Sequence, residues 1–139
     1  QTRRGLKWLR NGLKFLYAAD QDYGTKGAEF VPFFDVQAAT VTLPSDLFKK
    51  GTKVYFFNVV RDGSGYEITL EDIGSKANEG NFLKLMNATY EEAILKAPTQ
   101  YFWMHRRFKN RPEGEKDFYP YWKKREERRE KREKRSKRA

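Results

Sequence analysis

The strongest constraint on the fold lies in residues 53–71, where two apolar patterns flank a turn. Residues 54–60 are almost unbroken apolar and aromatic, which is typical of a strand covered on both faces. Residues 62–65, Asp-Gly-Ser-Gly, form a turn signal, and residues 66–70 alternate with period two. The sequence therefore predicts a β-hairpin with one fully buried strand and one half-buried strand.

The remaining apolar spacing predicts helices and strands in alternation, which indicates the α/β class. We predict a helix ending near residue 11, a buried strand at 14–19, a polar loop at 20–27, a short helix within 40–51 and a helix at 78–97. The last helix is expected to turn six side chains toward the sheet: Phe82, Leu85, Met86, Thr89, Ala93 and Leu95. This is the ordinary pattern of a core helix, and it indicates no function.

The basic charge is concentrated at one end of the chain. The 139 residues have a formal charge of +10, and residues 123–139 hold 11 Lys or Arg against 4 Glu, a net +7. That leaves 18 basic and 15 acidic residues, net +3, in residues 1–122. No apolar residue occurs between Trp122 and Ala139. We therefore predict a globular part over residues 1–122 and a basic tail, helical or disordered, over residues 123–139.

Several kinds of site and segment are absent from the sequence. Cysteine is missing, which excludes disulfides and thiolate metal sites. No apolar run approaches the ~20 residues of a membrane span, and no secretory signal is present. Neither a nucleophile elbow nor a phosphate-binding glycine loop occurs. Because the sequence begins at Gln1, with no initiator methionine, we expect a trimmed or partial chain.

Residues 98–112, here called the aromatic–basic segment, begin and end with proline. The residues between the two prolines are enough for about three helical turns. Helical spacing predicts one face carrying Tyr101, Met104, His105 and Phe108, with Arg106, Arg107 and Lys109 turned elsewhere. The planar fork of a guanidinium favours a phosphate or another anion. The alternative is an ordinary surface helix with solvated arginines.

Residues 100–114, Gln-Tyr-Phe-Trp-Met-His-Arg-Arg-Phe-Lys-Asn-Arg-Pro-Glu-Gly, resemble the C-terminal signature of the bacterial lipid A biosynthesis acyltransferases. Residues 20–24 and 30–40 are similar to a second motif of that family, a Pro-Asp-x-Asp loop before Phe-Val-Pro-Phe-Phe-Gly. This chain has Ala19 in place of the proline and Asp35 in place of the glycine. The resemblance extends over roughly residues 3–115.

The resemblance implies the C-terminal portion of a glycerol-phosphate-acyltransferase-like fold, a mixed sheet flanked by helices. It implies transfer of a fatty acyl chain from acyl carrier protein or acyl-CoA to a phosphorylated lipid A precursor. The expected location is the cytoplasmic face of the bacterial inner membrane, and no cofactor or metal is implied. An anionic membrane surface is a further expected partner, because the basic tail favours it.

The family's catalytic motif, His-x4-Asp/Glu, is absent from this chain. The single histidine, His105, is followed five residues later by Asn110, so we predict no catalytic residue here and no activity of this chain alone. Asp20 and Asp22 are supporting candidates beside the missing dyad. The substrate-binding candidates are Tyr101, His105, Arg106, Arg107, Lys109 and Arg111. A structural or phosphate-facing role suits His105 better than catalysis.

Two other functions remain open from the residues themselves. Basic residues interleaved with Tyr101, Phe102 and Trp103, at a pI near 9.8, are also found in nucleic-acid-binding modules. Exposure of these aromatic rings on one face would favour that function, and burial would count against it. The resemblance makes nucleic acid the weaker alternative. The other is a non-catalytic, membrane-associated interaction protein.

Overall fold

The computed structural model describes residues 2–136. In chain order its elements are α1 (Thr2–Arg10), β1 (Ala28–Phe33), β2 (Val36–Val41), α2 (Leu43–Lys49), β3 (Tyr55–Asp62), β4 (Gly65–Asp72), α3 (Phe82–Lys96) and α4 (Pro120–Ser136). Helices and strands are mixed, as predicted. Within the described residues, however, the strands form two separate antiparallel pairs and not one mixed sheet. The reason is that short turns join each pair, and such turns permit antiparallel pairing only.

The β1–β2 hairpin was not predicted from the apolar spacing. Phe33 pairs with Val36 across a two-residue turn formed by Phe34 and Asp35. These two residues have φ angles of +47° and +59°, in the left-handed region that a type I′ turn requires. A glycine at position 35, as in the family pattern, suits this backbone, and aspartate is among the residues that tolerate it.

Helix α3 carries the core. The predicted helix at residues 78–97 is confirmed, but it begins at Phe82, and one predicted core side chain is exposed. The main cluster of buried side chains contains Val31, Val41, Phe56, Ile73, Phe82, Leu83 and Met86. A smaller cluster contains Phe33, Ala38 and Ile94. Leu95, predicted to face the sheet, is 69% exposed, and Ile94 is buried in its place. The difference follows from helical geometry, because residues 82, 86, 90 and 94 are four apart.

The β3–β4 hairpin is confirmed, with Asp62 paired to Gly65, but its predicted burial is wrong. Strand β3 is predicted to be fully buried, yet Tyr55, Phe57 and Val59 are each more than 40% exposed. Tyr66, Ile68 and Leu70 of β4 are each at least 65% exposed. The helix contact of the hairpin lies on β3, where the ring of Phe56 is 5.1 Å from that of Tyr90 in α3.

Two further boundaries differ from the prediction. Residues 14–19 are not a strand, and Leu16 is 79% exposed. A strand needs a partner for its backbone groups, and among the described residues none pairs with this stretch. The short helix begins at Leu43, because residues 40 and 41 belong to the β1–β2 ladder. Its predicted end is confirmed by Gly51, whose φ is +80°.

The predicted helix over the aromatic–basic segment is wrong. One 3₁₀ turn, Pro98–Gln100, is followed by a series of tight turns. Backbone bonds such as His105 N to Phe102 O, 3.1 Å, and Lys109 N to Arg106 O, 3.2 Å, join residues three apart and do not continue as a ladder. Hydrogen bonds to distant parts of the chain, described below, override the local helical spacing.

The basic tail is helical through Ser136, and residues 137–139 lie outside the described residues. Helix α4 begins at Pro120, three residues before the predicted boundary, and proline is well suited to a first helical turn. The division into residues 1–122 and 123–139 stays a prediction.

Candidate functional site

Asp22 joins the polar loop at residues 20–27 to the aromatic–basic segment. Its side chain is 1% exposed, and its two oxygens accept three hydrogen bonds. One comes from Gly24 N at 2.9 Å, and two come from Asn110, from N at 3.0 Å and from Nδ2 at 2.7 Å. A buried carboxylate needs such donors to offset its lost hydration. Asp22 is therefore a structural link between the two family motifs.

His105, in the aromatic–basic segment, makes a second contact with Asp22. The backbone N–H of Asp22 donates to His105 Nε2 at 2.7 Å. An accepting Nε2 carries no proton, so the ring is neutral with its proton on Nδ1. Burial and the nearby Lys109 lower the pKa of His105, against the opposing effect of Asp20 and Asp22. The geometry and the pKa direction agree on a neutral, structural imidazole.

Lowering the pH from about 7.5 to about 5 is expected to destabilise the fold through His105. Its pKa is lowered on folding, so the unfolded chain binds the proton first as the pH falls. The contribution of His105 is complete above its ordinary pKa of about 6.5 and is lost as the pH falls below that value. A His105→Gln variant, which keeps an acceptor but cannot titrate, should lose less unfolding free energy over this range. Urea titrations of both proteins at several pH values test this, and equal pH slopes would contradict it.

Arg107 is directed into the protein, contrary to the predicted anion-binding side. It is 3% exposed, and its guanidinium donates from Nη1 to Ala39 O at 2.8 Å and from Nη2 to Thr40 Oγ1 at 2.9 Å. The guanidinium carbon lies 4.9 Å from the ring centroid of Phe33. Burial lowers the pKa of Arg107, although a guanidinium remains charged. These contacts hold the aromatic–basic segment against the β1–β2 hairpin.

Asn87 belongs to the same buried network, and the sequence analysis missed it. Its Nδ2 donates to Pro32 O at 2.8 Å and to Thr40 Oγ1 at 3.1 Å. The hydroxyl of Thr40 in turn donates to Ala38 O at 3.1 Å. The sequence contained a signal for this network. Asn87 is a polar residue next to Met86 on the buried face of α3, and a buried amide needs hydrogen-bond partners.

The other three basic candidates differ in how accessible they are. Arg111 donates to Gln37 O and, at 3.2 Å, to Glu115, and its guanidinium lies 4.6 Å from the ring of Phe118. Arg106 is half-buried, 5.4 Å from the ring of Trp122. Lys109 is exposed. Of the four cations, Lys109 and then Arg106 are best placed to meet a ligand.

Asp20 and Tyr101 line one cavity of about 270 Å³, together with Leu16, Phe57, Tyr90, Ile94 and other residues. Burial and the carboxylate of Asp20 raise the pKa of both Tyr101 and Tyr90, so both hydroxyls stay protonated. Within the described residues the buried hydroxyl of Tyr101 has no hydrogen-bond partner of normal geometry. The carboxylate of Asp20 and the phenol of Tyr101, over apolar walls, suit a ligand with both a polar group and a hydrocarbon part.

Residues 2–136 contain neither a metal-binding cluster nor a helix that could span a membrane. No cluster of three or more His, Cys, Asp or Glu side chains has a metal-binding arrangement. No described helix combines the length and the apolar character that crossing a membrane requires.

Most of the chain is similar to known proteins. The family profile described as "Bacterial lipid A biosynthesis acyltransferase" matches residues 2–110. The chain is 40% identical over 117 residues to the lipid A biosynthesis palmitoleoyltransferase of Escherichia coli K12, covering 80% of this chain and 38% of that protein. It is 34% identical over 122 residues to the lauroyltransferase and 30% identical over 125 residues to the myristoyltransferase of the same organism. These alignments cover 78% and 81% of this chain, and each covers 38% of the relative. The chain belongs to the bacterial lipid A biosynthesis acyltransferase family.

Proposed function

We propose that this chain is the C-terminal part of an enzyme that transfers a fatty acyl chain to a lipid A precursor. The observation that carries the proposal is the family match over residues 2–110, which includes the motif at residues 20–40 and residues 100–110 of the C-terminal signature. The chain spans 38% of the length of the curated relatives compared above, and the activity is therefore proposed for a longer protein that contains this chain. The proposed architecture is the glycerol-phosphate-acyltransferase-like fold, completed by segments outside this chain.

The proposed donor is acyl carrier protein or acyl-CoA, and the proposed acceptor is a phosphorylated lipid A precursor at the cytoplasmic face of the inner membrane. In the reaction, an acceptor hydroxyl attacks the thioester carbonyl, the thiol leaves, and a general base takes the hydroxyl proton. The base would come from the His-x4-Asp/Glu motif, which this chain lacks. The residues described here would bind and orient the substrates.

The positions of the candidate residues support a substrate-binding function for this chain, with the general base supplied from elsewhere. Lys109 and Arg106 supply positive charge for phosphate groups, and the buried Arg107 and Asp22 hold the segment that carries them. Asp20 and Tyr101 place polar groups at an apolar cavity, where the polar and hydrocarbon parts of an acylated substrate fit together. Asp20 is thus the better candidate for a residue at the active-site floor, because Asp22 uses both oxygens within the fold.

A chimera tests the proposal. The matched C-terminal region of the E. coli palmitoleoyltransferase is replaced by this chain, and acyl transfer to a lipid A precursor is measured. We expect transfer by the chimera and none by the 139-residue chain alone, because a general base is worth about 10²–10⁴-fold. The relative truncated before the matched region serves as the negative control. A folded chimera that is as inactive as this control would overturn the proposal.

One observation favours a nucleic-acid-binding function instead. The rings of Phe102 and Trp103 are exposed, as base stacking requires. Arg107 and Arg111, however, donate to acceptors within the protein, which leaves fewer cations for a phosphate backbone. Acyl transfer is therefore the better-supported function. A chimera without activity that still binds vesicles would favour the non-catalytic, membrane-associated alternative.

A further inference from the structure

Residues 102–104, here called the apolar tip, present three large apolar side chains in succession to the surface. Phe102 is 61% exposed, Trp103 57% and Met104 82%. Single exposed apolar residues are ordinary on a protein surface. A contiguous group of them marks a surface that binds a ligand, another protein or a membrane. Phe102 and Met104 have no part in the Asp22 and Arg107 contacts described above.

The apolar tip is held in place by its neighbours. Trp103 Nε1 donates to Pro98 O at 2.7 Å, and the Trp103 ring packs edge-on against Tyr101 at 4.9 Å. The backbone N–H of His105 donates to Phe102 O at 3.1 Å, and the His105 ring accepts from Asp22. The turn is therefore fixed from both sides, and its apolar side chains point outward from a supported backbone.

The charged side chains of the segment that carries the apolar tip are of one sign. Residues 98–112 contain four Lys or Arg and no Asp or Glu. Lys109 is exposed, and Arg106 lies 5.4 Å from the ring of Trp122, at the start of α4. The basic tail of net +7 therefore begins beside the segment that carries the apolar tip. An apolar surface next to positive charge complements an anionic lipid bilayer.

Strand β4 combines exposed apolar side chains with negative charge. Ile68 and Leu70 are about as exposed as Phe102. Strand β4 nevertheless carries Glu67, Glu71 and Asp72, with no Lys or Arg. Negative charge opposes approach to an anionic surface, so the charge pattern distinguishes the two apolar surfaces.

We propose that the apolar tip inserts into the interface of an anionic bilayer. Trp103 would lie at headgroup level, where indole rings are enriched, with Phe102 and Met104 at the acyl boundary. Lys109, Arg106 and the basic tail would contact the lipid phosphates. The inference rests on the proposed location at a membrane, but it requires no acyl transfer. Vesicle binding without donor or acceptor therefore tests it separately from the enzymatic activity.

The absence of cysteine allows a direct test of insertion. Met104→Cys and, as the matched control, Ile68→Cys are labelled with a polarity-sensitive fluorophore and mixed with vesicles of phosphatidylglycerol and phosphatidylcholine. We expect a blue shift and protection from aqueous iodide at position 104 but not at position 68. Vesicle-bound protein whose label at 104 stays fully quenched by iodide would overturn the proposal, as would insertion at position 68 in its place.

Vesicle flotation at about 50 mM and about 500 mM salt separates the apolar and electrostatic parts. The double variant Phe102→Ser, Met104→Ser should bind about 10- to 100-fold more weakly at both salt concentrations, because apolar burial is not screened. Truncation after Trp122 should weaken binding mainly at low salt. The control pair Ile68→Ser, Leu70→Ser should bind as the parent does. Equal binding by the tip variant, or complete displacement of the parent from vesicles by equimolar single-stranded RNA, would overturn the proposal. Displacement by RNA would assign the surface to nucleic acid.

Discussion

Replacing Arg107 by alanine is expected to lower the free energy of unfolding by about 3–4 kcal/mol. The substitution removes two charge-assisted hydrogen bonds, to Ala39 O and to Thr40 Oγ1, and each such bond contributes about 1.5–3 kcal/mol. Thr40 Oγ1 keeps Asn87 Nδ2 as a donor, so the expected loss lies near the lower end of their sum. The contact with the Phe33 ring is lost as well. Since domains of this size are stable by only about 5–15 kcal/mol, the loss is large. Urea unfolding followed by tryptophan fluorescence measures it.

Arg106→Ala is the matched control, one residue away. Its guanidinium is half-buried over Trp122, and we expect a loss below about 1 kcal/mol. Arg107→Lys should recover little stability, because an ammonium group cannot replace a guanidinium fork at two separated acceptors. Equal losses for Arg106→Ala and Arg107→Ala would contradict the inward placement of Arg107.

Replacing Asp22 by alanine is expected to cost about 2–4 kcal/mol, because three hydrogen bonds to a buried carboxylate are lost. The link to Asn110 gives a sharper measurement than stability alone. In a double-mutant cycle, Asp22→Ala and Asn110→Ala should be coupled by about 1 kcal/mol or more, since the two side chains are 2.7 Å apart.

Asp20→Ala is the control for this cycle. Asp20 is only half-buried, so we expect a smaller loss of stability and little coupling to Asn110→Ala. If the free-energy changes of Asp22→Ala and Asn110→Ala add within about 0.5 kcal/mol, the link between the two motifs does not exist in solution.

Local chemistry made parts of this fold predictable. The turn at residues 62–65 and the spacing along residues 82–94 each determine an element from neighbouring residues, and both elements are present. The β1–β2 hairpin was not predicted, because its turn contains Phe34 and Asp35 and lacks the glycine that usually signals such a turn. A left-handed turn built from such residues carries a weak local signal.

The aromatic–basic segment could not be predicted from its own residues. Its spacing fits a helix, but Asp22, 88 positions earlier, binds the backbone and side chain of Asn110. Arg107 reaches Ala39, 68 positions earlier. Contacts between such distant residues outweigh helix propensities of a few tenths of a kcal/mol per residue.

The orientation of the candidate site residues could not be predicted from the sequence. The resemblance selected Asp20, Asp22 and the four cations, yet nothing in the sequence distinguished the buried Arg107 from the exposed Lys109. The direction of a side chain depends on acceptors supplied by another element, here the backbone of β2. Asn87 lies within the regular apolar pattern of α3, and that pattern predicts an ordinary core helix without a buried polar side chain.

We propose that the exposed side of the aromatic–basic segment binds the phosphorylated acceptor in the complete enzyme. The most direct test is the steady-state kinetics of the chimera with Lys109→Ala, against Lys116→Ala as an exposed control outside the segment. A lost charge-assisted contact of about 1.5–3 kcal/mol predicts a KM for the acceptor raised about 10-fold or more, with kcat little changed. The Lys116→Ala chimera should match the parent. An unchanged acceptor KM for Lys109→Ala would contradict the claim.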